Sequence, residues 1–227
     1  MVMIVYGKQI VLHLLERHSD LVEEIYLAKE IDTKTFAFIA KNNRRILRTD
    51  LKKAQAMARG GNHQGFLAKI IPPLPISLKE IKKYNKVLVL CGITDVGNIG
   101  AIFRTAYCLG VEAVVLGLSE NFSYEGVIRA SVGAMLDIPF CVCKNILDLI
   151  NEFKNENIYC YGADIMGEDI KNITIQDKWA LFLGSEGEGL NKKILSKLDK
   201  IVSIRMKGDF NSLNVSVAAG ILINRMG

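Results

Sequence analysis

Three short segments of the sequence combine glycine with polar side chains, and each follows an apolar run. They read DVGNIGAIFRTA, LFLGSEGEGL and IRMKGDFNSLNVSVAAG. Glycine lets a backbone approach a ligand closely, while amide, hydroxyl, carboxylate and guanidinium groups supply hydrogen bonds and charge. We therefore treat the three segments as candidate functional loops. The polar residues with this capacity are Asn98, Arg104, Glu186, Asn211, Ser212 and Asn214.

The residue types in these loops argue against two common nucleotide sites. A phosphate-binding P-loop ends in Lys and Ser or Thr, whereas the second loop carries Glu186 and Glu188, which would repel phosphate. Carboxylates instead suit a cationic or hydroxyl-rich ligand. No loop has the G-x-G-x-x-G pattern of dinucleotide-binding enzymes, which argues against a nicotinamide-dependent oxidoreductase.

Simple structural roles remain open for some of these residues. Asn98 or Ser212 could be the N-cap of the helix that follows it. Arg104 is harder to explain in this way, because it lies within an otherwise apolar helical pattern.

Cysteine and histidine content argues against metal or disulfide chemistry. Five cysteines lie in apolar segments without a CxxC pair, and we expect them to be reduced core residues. There are only three histidines, and a structural zinc site needs about four suitable ligands, so we expect no metal. No apolar run approaches the roughly 18 residues that span a bilayer, and the first residues lack signal-peptide features. We expect a cytoplasmic protein that has no contact with membranes.

The pattern of apolar residues predicts an α/β fold in two domains. Prolines 72, 73 and 75 are typical of a linker. Upstream, YGKQIVLHLLERH predicts a helix, and EEIYLAKE and HQGFLAKII predict strands. Downstream, apolar runs alternate with helical patterns, which predicts a parallel sheet covered by helices, with ligands at the carboxyl ends of its strands. The predicted domains are residues 1–71 and 85–227, joined by a linker at 72–84.

The positive charge is concentrated in the smaller domain. The chain of 227 residues has a formal net charge of +5; residues 1–80 hold 13 Lys and Arg against 8 Asp and Glu, and the remainder holds 16 of each. A cluster of basic residues in so small a domain either binds the phosphates of a nucleic acid or forms a solvated helix face. The candidate RNA-binding residues are Arg44, Arg45, Lys52, Lys53 and Arg59.

Taken in order, NIGAIFR, LFLGSEGEGL and IRMKGDFNSLNVSVA resemble the three motifs of the SpoU (TrmH) family of RNA 2′-O-methyltransferases. The segment ASVGAM, from Ala130, lies where that family has a similar Ser/Gly/Ala stretch. The N-terminal YGKQIV and HQGFLAKI resemble the ribosomal-protein-like substrate-binding domain of many members, although Gln9 replaces a frequent histidine.

This resemblance implies a SPOUT fold, in which the C-terminal segment forms a deep trefoil knot. It also implies a homodimer with active sites completed across the interface and S-adenosyl-L-methionine as cofactor. Carried over to this sequence, the expected cofactor contacts are Leu183, Gly184, Ile204, Met206, Leu213 and Val215.

The resemblance further implies roles for the polar residues. Arg104 would contact the ribose 2′-hydroxyl group or the adjacent phosphate, and Asn98 would have a positioning role. Glu186 would anchor either the geometry of its own loop or Arg104. Ser212 and Asn214 would hold the third loop and the nucleotide. The expected substrate is a guanosine of large-subunit ribosomal RNA. Transfer RNA is an alternative substrate, and a catalytically silent RNA-binding protein is an alternative of another class.

Overall fold

We describe the fold from a computed structural model, which describes residues 3–42, 44–118, 123–208 and 212–227. In this part of the chain, no helix has the length and apolar character needed to cross a membrane. The strands are β1 (Met3–Tyr6), β2 (Val22–Leu27), β3 (Arg45–Arg48), β4 (Phe66–Ile70), β5 (Lys86–Cys91), β6 (Ala113–Gly117), β7 (Phe140–Val142), β8 (Tyr159–Asp169), β9 (Trp179–Gly184) and β10 (Lys200–Ser203). The helices are α1 (Lys8–Arg17), α2 (Thr33–Ala40), α3 (Leu51–Met57), α4 (Leu78–Ile81), α5 (Val96–Cys108), α6 (Tyr124–Ala130), α7 (Ile146–Asn155), α8 (Lys192–Leu195) and α9 (Val215–Met226).

The chain forms two compact units. The first consists of Met1–Leu74 with Ser123–Leu136, and the second of Pro75–Phe122 with Asp137–Gly227. The sheet of the first unit has the order β1-β4-β2-β3. It is mixed, because β4 pairs antiparallel with β1 and β2 while β2 and β3 are parallel. The helix and two strands predicted for this region are confirmed as α1, β2 and β4.

The second unit contains a six-stranded sheet of order β10-β8-β9-β5-β6-β7. Every pair in it is parallel, which confirms the predicted sheet. The central strands read KVLVLC and WALFLG and are almost entirely buried, as expected for strands that are covered on both faces. Phe103 on α5 and Phe153 on α7 are among the largest fully buried side chains of this unit.

The predicted linker at 72–84 is only partly extended. Within it, Ser77 and Glu80 form a reciprocal capping box that starts α4. Ile81 on this helix is fully buried, and the Ile76 amide donates to the Phe140 carbonyl oxygen. Residues 76–81 therefore pack into the second unit.

Helix α6 does not continue through the ASVGAM segment. Helix α6 ends at Ala130, because Val132 and Gly133 have φ angles of 55° and 94°, which interrupt a helix. Arg129 of α6 donates to the Tyr6 hydroxyl and lies 4.9 Å over the Tyr6 ring. This segment falls within the predicted range 85–227, yet it packs with the N-terminal unit.

Candidate active site and cofactor cavity

The first two candidate loops leave the sheet side by side. Strands β5 and β9 are parallel neighbours whose ends, Cys91 and Gly184, are in register. Residues that follow these strands therefore meet at one edge of the sheet. Burial raises the pKa of the Cys91 thiol to about 12, so this thiol is protonated at neutral pH and is not a nucleophile.

In the first loop, Asn98 is not the N-cap of the helix that contains it. The N-cap of α5 is Asp95, whose carboxylate accepts from the Asn98 amide at 2.7 Å. Asn98 is the third residue of the helix, and its side chain points to another partner. Its Nδ2 donates to Glu186 Oε1 at 3.0 Å.

The second loop turns back on itself directly after β9. Ser185 and Gly189 form an isolated β-bridge, and Gly189 has a φ of 65°, which favours glycine. A Cβ atom on Gly184 would lie 2.0 Å from the Gly189 carbonyl carbon. The two glycines are thus required for a tight turn that presents Glu186 at its tip.

The third loop supplies the last member of the arrangement. Asn214, not Ser212, is the N-cap of α9, and its Oδ1 accepts from the Ser216 amide at 2.9 Å. Its Nδ2 donates to Glu186 Oε1 at 2.6 Å and to Asn98 Oδ1 at 2.9 Å. We call these three residues the Asn-Glu-Asn cluster. Asn211 lies outside the described residues.

Arg104 does not join the Asn-Glu-Asn cluster. Because it follows Asn98 by six residues, its side chain leaves α5 about 120° around the axis and about 9 Å along it. Arg104 is exposed, and within the described ranges its guanidinium has no hydrogen-bond or ion-pair partner. Of the two expectations for Glu186, anchoring of loop geometry is the one that matches its contacts.

A cavity of about 370 Å³ lies beside the cluster. All six residues predicted to contact the cofactor line it, as do Glu186 and Ser212. Sequence reasoning missed Ala163, Asp164 and Ile165 on β8 and Ala218 and Leu222 on α9. The run IYCYGAD offered a signal for the first three, since it places small and acidic residues where a predicted strand ends.

Comparisons with known proteins identify the family of this chain. Residues 85–224 match the SpoU rRNA Methylase family, and residues 4–75 match the family described as RNA 2′-O ribose methyltransferase substrate binding. The chain belongs to the SpoU methylase family. It is therefore an RNA 2′-O-methyltransferase that uses S-adenosyl-L-methionine.

Individual relatives match this SpoU methylase along most of its length. The 23S rRNA (guanosine-2′-O-)-methyltransferase RlmB of Neisseria meningitidis serogroup B is 29% identical over 97% of this chain and 92% of its own. An uncharacterized tRNA/rRNA methyltransferase of Borreliella burgdorferi is 34% identical over 88% of this chain and 94% of its own. The SpoU methyltransferase AviRb from Streptomyces viridochromogenes, solved with AdoMet, has the same fold (TM-score 0.82, 19% identity, coverage of 99% and 89%).

The cavity of this SpoU methylase fits its cofactor in size and chemistry. Its volume is typical of small-molecule sites, and its walls include Leu183, Ile204 and Val215. None of the described residues that line it is Lys or Arg, which suits a ligand without phosphate. Asp164 and Glu188 add carboxylates that complement a cationic ligand.

The five predicted RNA-binding residues lie in the first unit and differ in their surroundings. Lys52 and Lys53 are exposed on α3. Arg45 is 3.0 Å from Glu24, and Arg59 is 3.8 Å from Glu125, so part of the charge of these arginines is balanced within the chain. Arg44 is half-buried.

Proposed function

We propose that this enzyme methylates the ribose 2′-hydroxyl of a guanosine in large-subunit ribosomal RNA. The observation that carries the proposal is the Asn-Glu-Asn cluster, which joins all three motifs beside one cavity of suitable size. The nucleotide and the RNA class are supported by the name of the Neisseria relative, whose similarity extends through both units. Transfer RNA is the alternative substrate.

The cavity residues would bind the methyl donor. S-Adenosylmethionine supplies a methyl group on a positively charged sulfur, so its leaving group needs no proton. The walls formed by Leu183, Ile204 and Leu213 would exclude water, while Glu186 and its asparagine partners hold the two flanking loops in place. The task left to the protein is to align and activate the 2′-hydroxyl oxygen.

Arg104 would act on that oxygen by electrostatics. A guanidinium group stays protonated in proteins and is a poor proton acceptor. It can orient the 2′-hydroxyl group and stabilise negative charge that develops on its oxygen. We therefore assign Arg104 to orientation and charge stabilisation.

The position of Arg104 supports a homodimer with shared active sites. On α5, Arg104 and Tyr107 are three residues apart and lie on one exposed face. On the adjacent α9, Val217 and Ile221 expose 51% and 41% of their surface, four residues apart. We propose that this apolar face contacts a second copy and delivers Arg104 to its cavity. The resemblance also supports a trefoil knot between β9 and α9, the region that supplies both later motifs.

Replacing Arg104 tests its catalytic assignment. Arg104→Ala should abolish methyl transfer, because it removes the proposed orientation and charge stabilisation of the 2′-hydroxyl oxygen, while cofactor affinity stays within about twofold of wild type. Methyl transfer is measured with a tritiated methyl group and RNA, and cofactor affinity is measured by isothermal titration with S-adenosylmethionine. Unchanged turnover would contradict the assignment. Absence of cofactor binding by the wild-type protein would instead favour a catalytically silent RNA-binding protein.

A further inference from the structure

Helix α2 leaves an unusual amount of aromatic surface in solvent. Of its eight residues, only Ile39 is buried, whereas a surface helix normally buries a broad apolar stripe. Phe36 and Phe38 expose 39% and 37% of their surface. Neither the cofactor cavity nor the basic residues named above explain these rings.

A cation is already held against one of the two rings. The Arg48 guanidinium lies 5.9 Å from the centroid of Phe36. Arg48 Nη1 also donates to the Lys29 carbonyl oxygen at 3.0 Å, so its position does not depend on a ligand. Arg48 belongs to β3, which is the edge strand of its sheet. An aromatic ring beside a fixed guanidinium is a surface on which a flat ring can stack.

The charge around α2 favours an anionic partner. Lys34 and Lys41 are exposed, and their ammonium groups have no ion-pair partner in the part of the chain that the structure describes. Two of the carboxylates close to α2 in the sequence are already engaged, since Asp32 caps α2 and Glu24 pairs with Arg45; Glu30 is exposed. Lysines near a stacking surface would neutralise the phosphates of a strand whose base occupies that surface.

We propose that Phe36 and Arg48 form a stacking site for an unpaired nucleotide of the RNA substrate. This inference rests on the proposed function, because it takes RNA as the substrate. The phosphates of an RNA duplex would pair with the positive charge, but its bases are stacked inside the double helix. Loops and bulges instead expose unpaired bases, which stack on aromatic and guanidinium planes. The smaller unit thus selects RNA with an unpaired base, and its lysines add affinity without selectivity.

Binding of two labelled RNAs to the full-length protein tests this site. One RNA is a hairpin with an unpaired purine loop, and the other is a fully paired duplex of equal length; fluorescence anisotropy gives both affinities. Phe36→Ala should weaken hairpin binding roughly tenfold, as expected for loss of one stacked base, and leave duplex binding unchanged. Arg48→Ala should weaken hairpin binding at least as much and duplex binding less, because it removes a positive charge together with the stacking surface. Phe36→Trp should restore hairpin binding, which excludes misfolding as the cause.

Two controls separate stacking from other roles of this surface. Phe38→Ala makes the same truncation at a ring of similar exposure, about 160° around α2 from Phe36, and should bind both RNAs as wild type. Lys52→Glu with Lys53→Glu should weaken both RNAs alike and flatten the dependence of affinity on salt. Equal loss in Phe36→Ala and Phe38→Ala, or equal loss for hairpin and duplex, would overturn the stacking site.

The result is separable from the proposed function. If the wild-type protein methylates RNA but Phe36→Ala binds the hairpin normally, the stacking site is wrong and the function stands. If hairpin selectivity depends on Phe36 but no methyl transfer occurs, the stacking site stands and the function is wrong. A change of oligomeric state in Phe36→Ala, measured by light scattering, would show that a second copy occupies this face and would also overturn the proposal.

Discussion

At the scale of single residues, one carboxylate oxygen organises the candidate active site. Glu186 Oε1 accepts from the side chains of Asn98 and Asn214, at 3.0 and 2.6 Å. Each of the three residues comes from a different motif, so the cluster fixes three loops relative to one another. Its role is one of positioning, since the reacting oxygen is expected to meet Arg104.

Substitutions of Glu186 test this role. Glu186→Ala removes an acceptor shared by two amides and should lower kcat by roughly 10- to 100-fold, the equivalent of one or two lost hydrogen bonds. Glu186→Gln retains the acceptor oxygen and should recover most of the turnover. If the negative charge of Glu186 were needed instead, Glu186→Gln would be as impaired as Glu186→Ala. Asp177→Asn, which changes an exposed carboxylate, is the matched control. Equal turnover in Glu186→Ala and wild type would contradict the account.

The sequence predicted part of the cavity lining and all three members of the Asn-Glu-Asn cluster, but not their contacts. Glycine-rich loops after apolar runs pointed to Glu186 and Asn214, and the resemblance added the six cofactor residues that line the cavity. The N-caps of α5 and α9 could not be assigned from sequence. Asp95 and Asn98 are equally suitable caps for α5, and Ser212 and Asn214 are equally suitable caps for α9. Which of them caps the helix depends on where the chain turns after the strand.

At the scale of elements, the parallel sheet depends on strands that are buried on both faces. Cys160 on β8 is fully buried, and burial raises the pKa of its thiol to about 12 from an ordinary value near 9. As pH rises above about 9, the unfolded chain loses this proton before the folded chain does. The free energy of unfolding therefore falls between about pH 9 and pH 12.

Thermal unfolding at several alkaline pH values measures this effect. Cys160→Ala should give a shallower decline of Tm with pH than wild type, because the variant no longer holds the buried thiol. Val89→Ala is the control: it also truncates a fully buried strand residue but removes no titratable group, so its slope should equal that of wild type. Parallel slopes for all three proteins would refute a contribution from this thiol.

Elements with strong apolar patterns were predictable, and short amphipathic ones were not. The strands KVLVLC and WALFLG are predictable because each is a nearly continuous run of apolar residues. Strand β3 reads RILR, and its two arginines resemble part of a charged helix face. The break after α6 depends on a left-handed Val132, a conformation for which valine gives no sequence signal.

At the scale of the whole molecule, the separation of Arg104 from the Asn-Glu-Asn cluster is the main argument for a dimer. Wild-type protein should have a light-scattering mass of twice the 25.2 kDa of one chain. Val217→Glu places a charge on the exposed face of α9 and should give monomers, whereas Leu74→Glu, at another exposed apolar residue, should remain dimeric. A monomeric wild-type protein would contradict the proposal.

Mixing the inactive Arg104→Ala variant with the weakened Glu186→Ala variant tests whether the sites are shared. A mixed dimer of Arg104→Ala and Glu186→Ala subunits contains one site with both native residues, so an exchanged equal mixture should regain about a quarter of wild-type activity. A mixture whose activity does not exceed the average of its two components would place Arg104 and Glu186 of the same chain in one site.

The most direct test of the whole account is the chemical identity of the methylated product. Purified enzyme is incubated with labelled S-adenosylmethionine and unmodified large-subunit ribosomal RNA, which is then digested to nucleosides and analysed by mass spectrometry. The account predicts 2′-O-methylguanosine from a single position, and none with Arg104→Ala. A methyl group on a base, or the absence of transfer to ribosomal RNA, would contradict it.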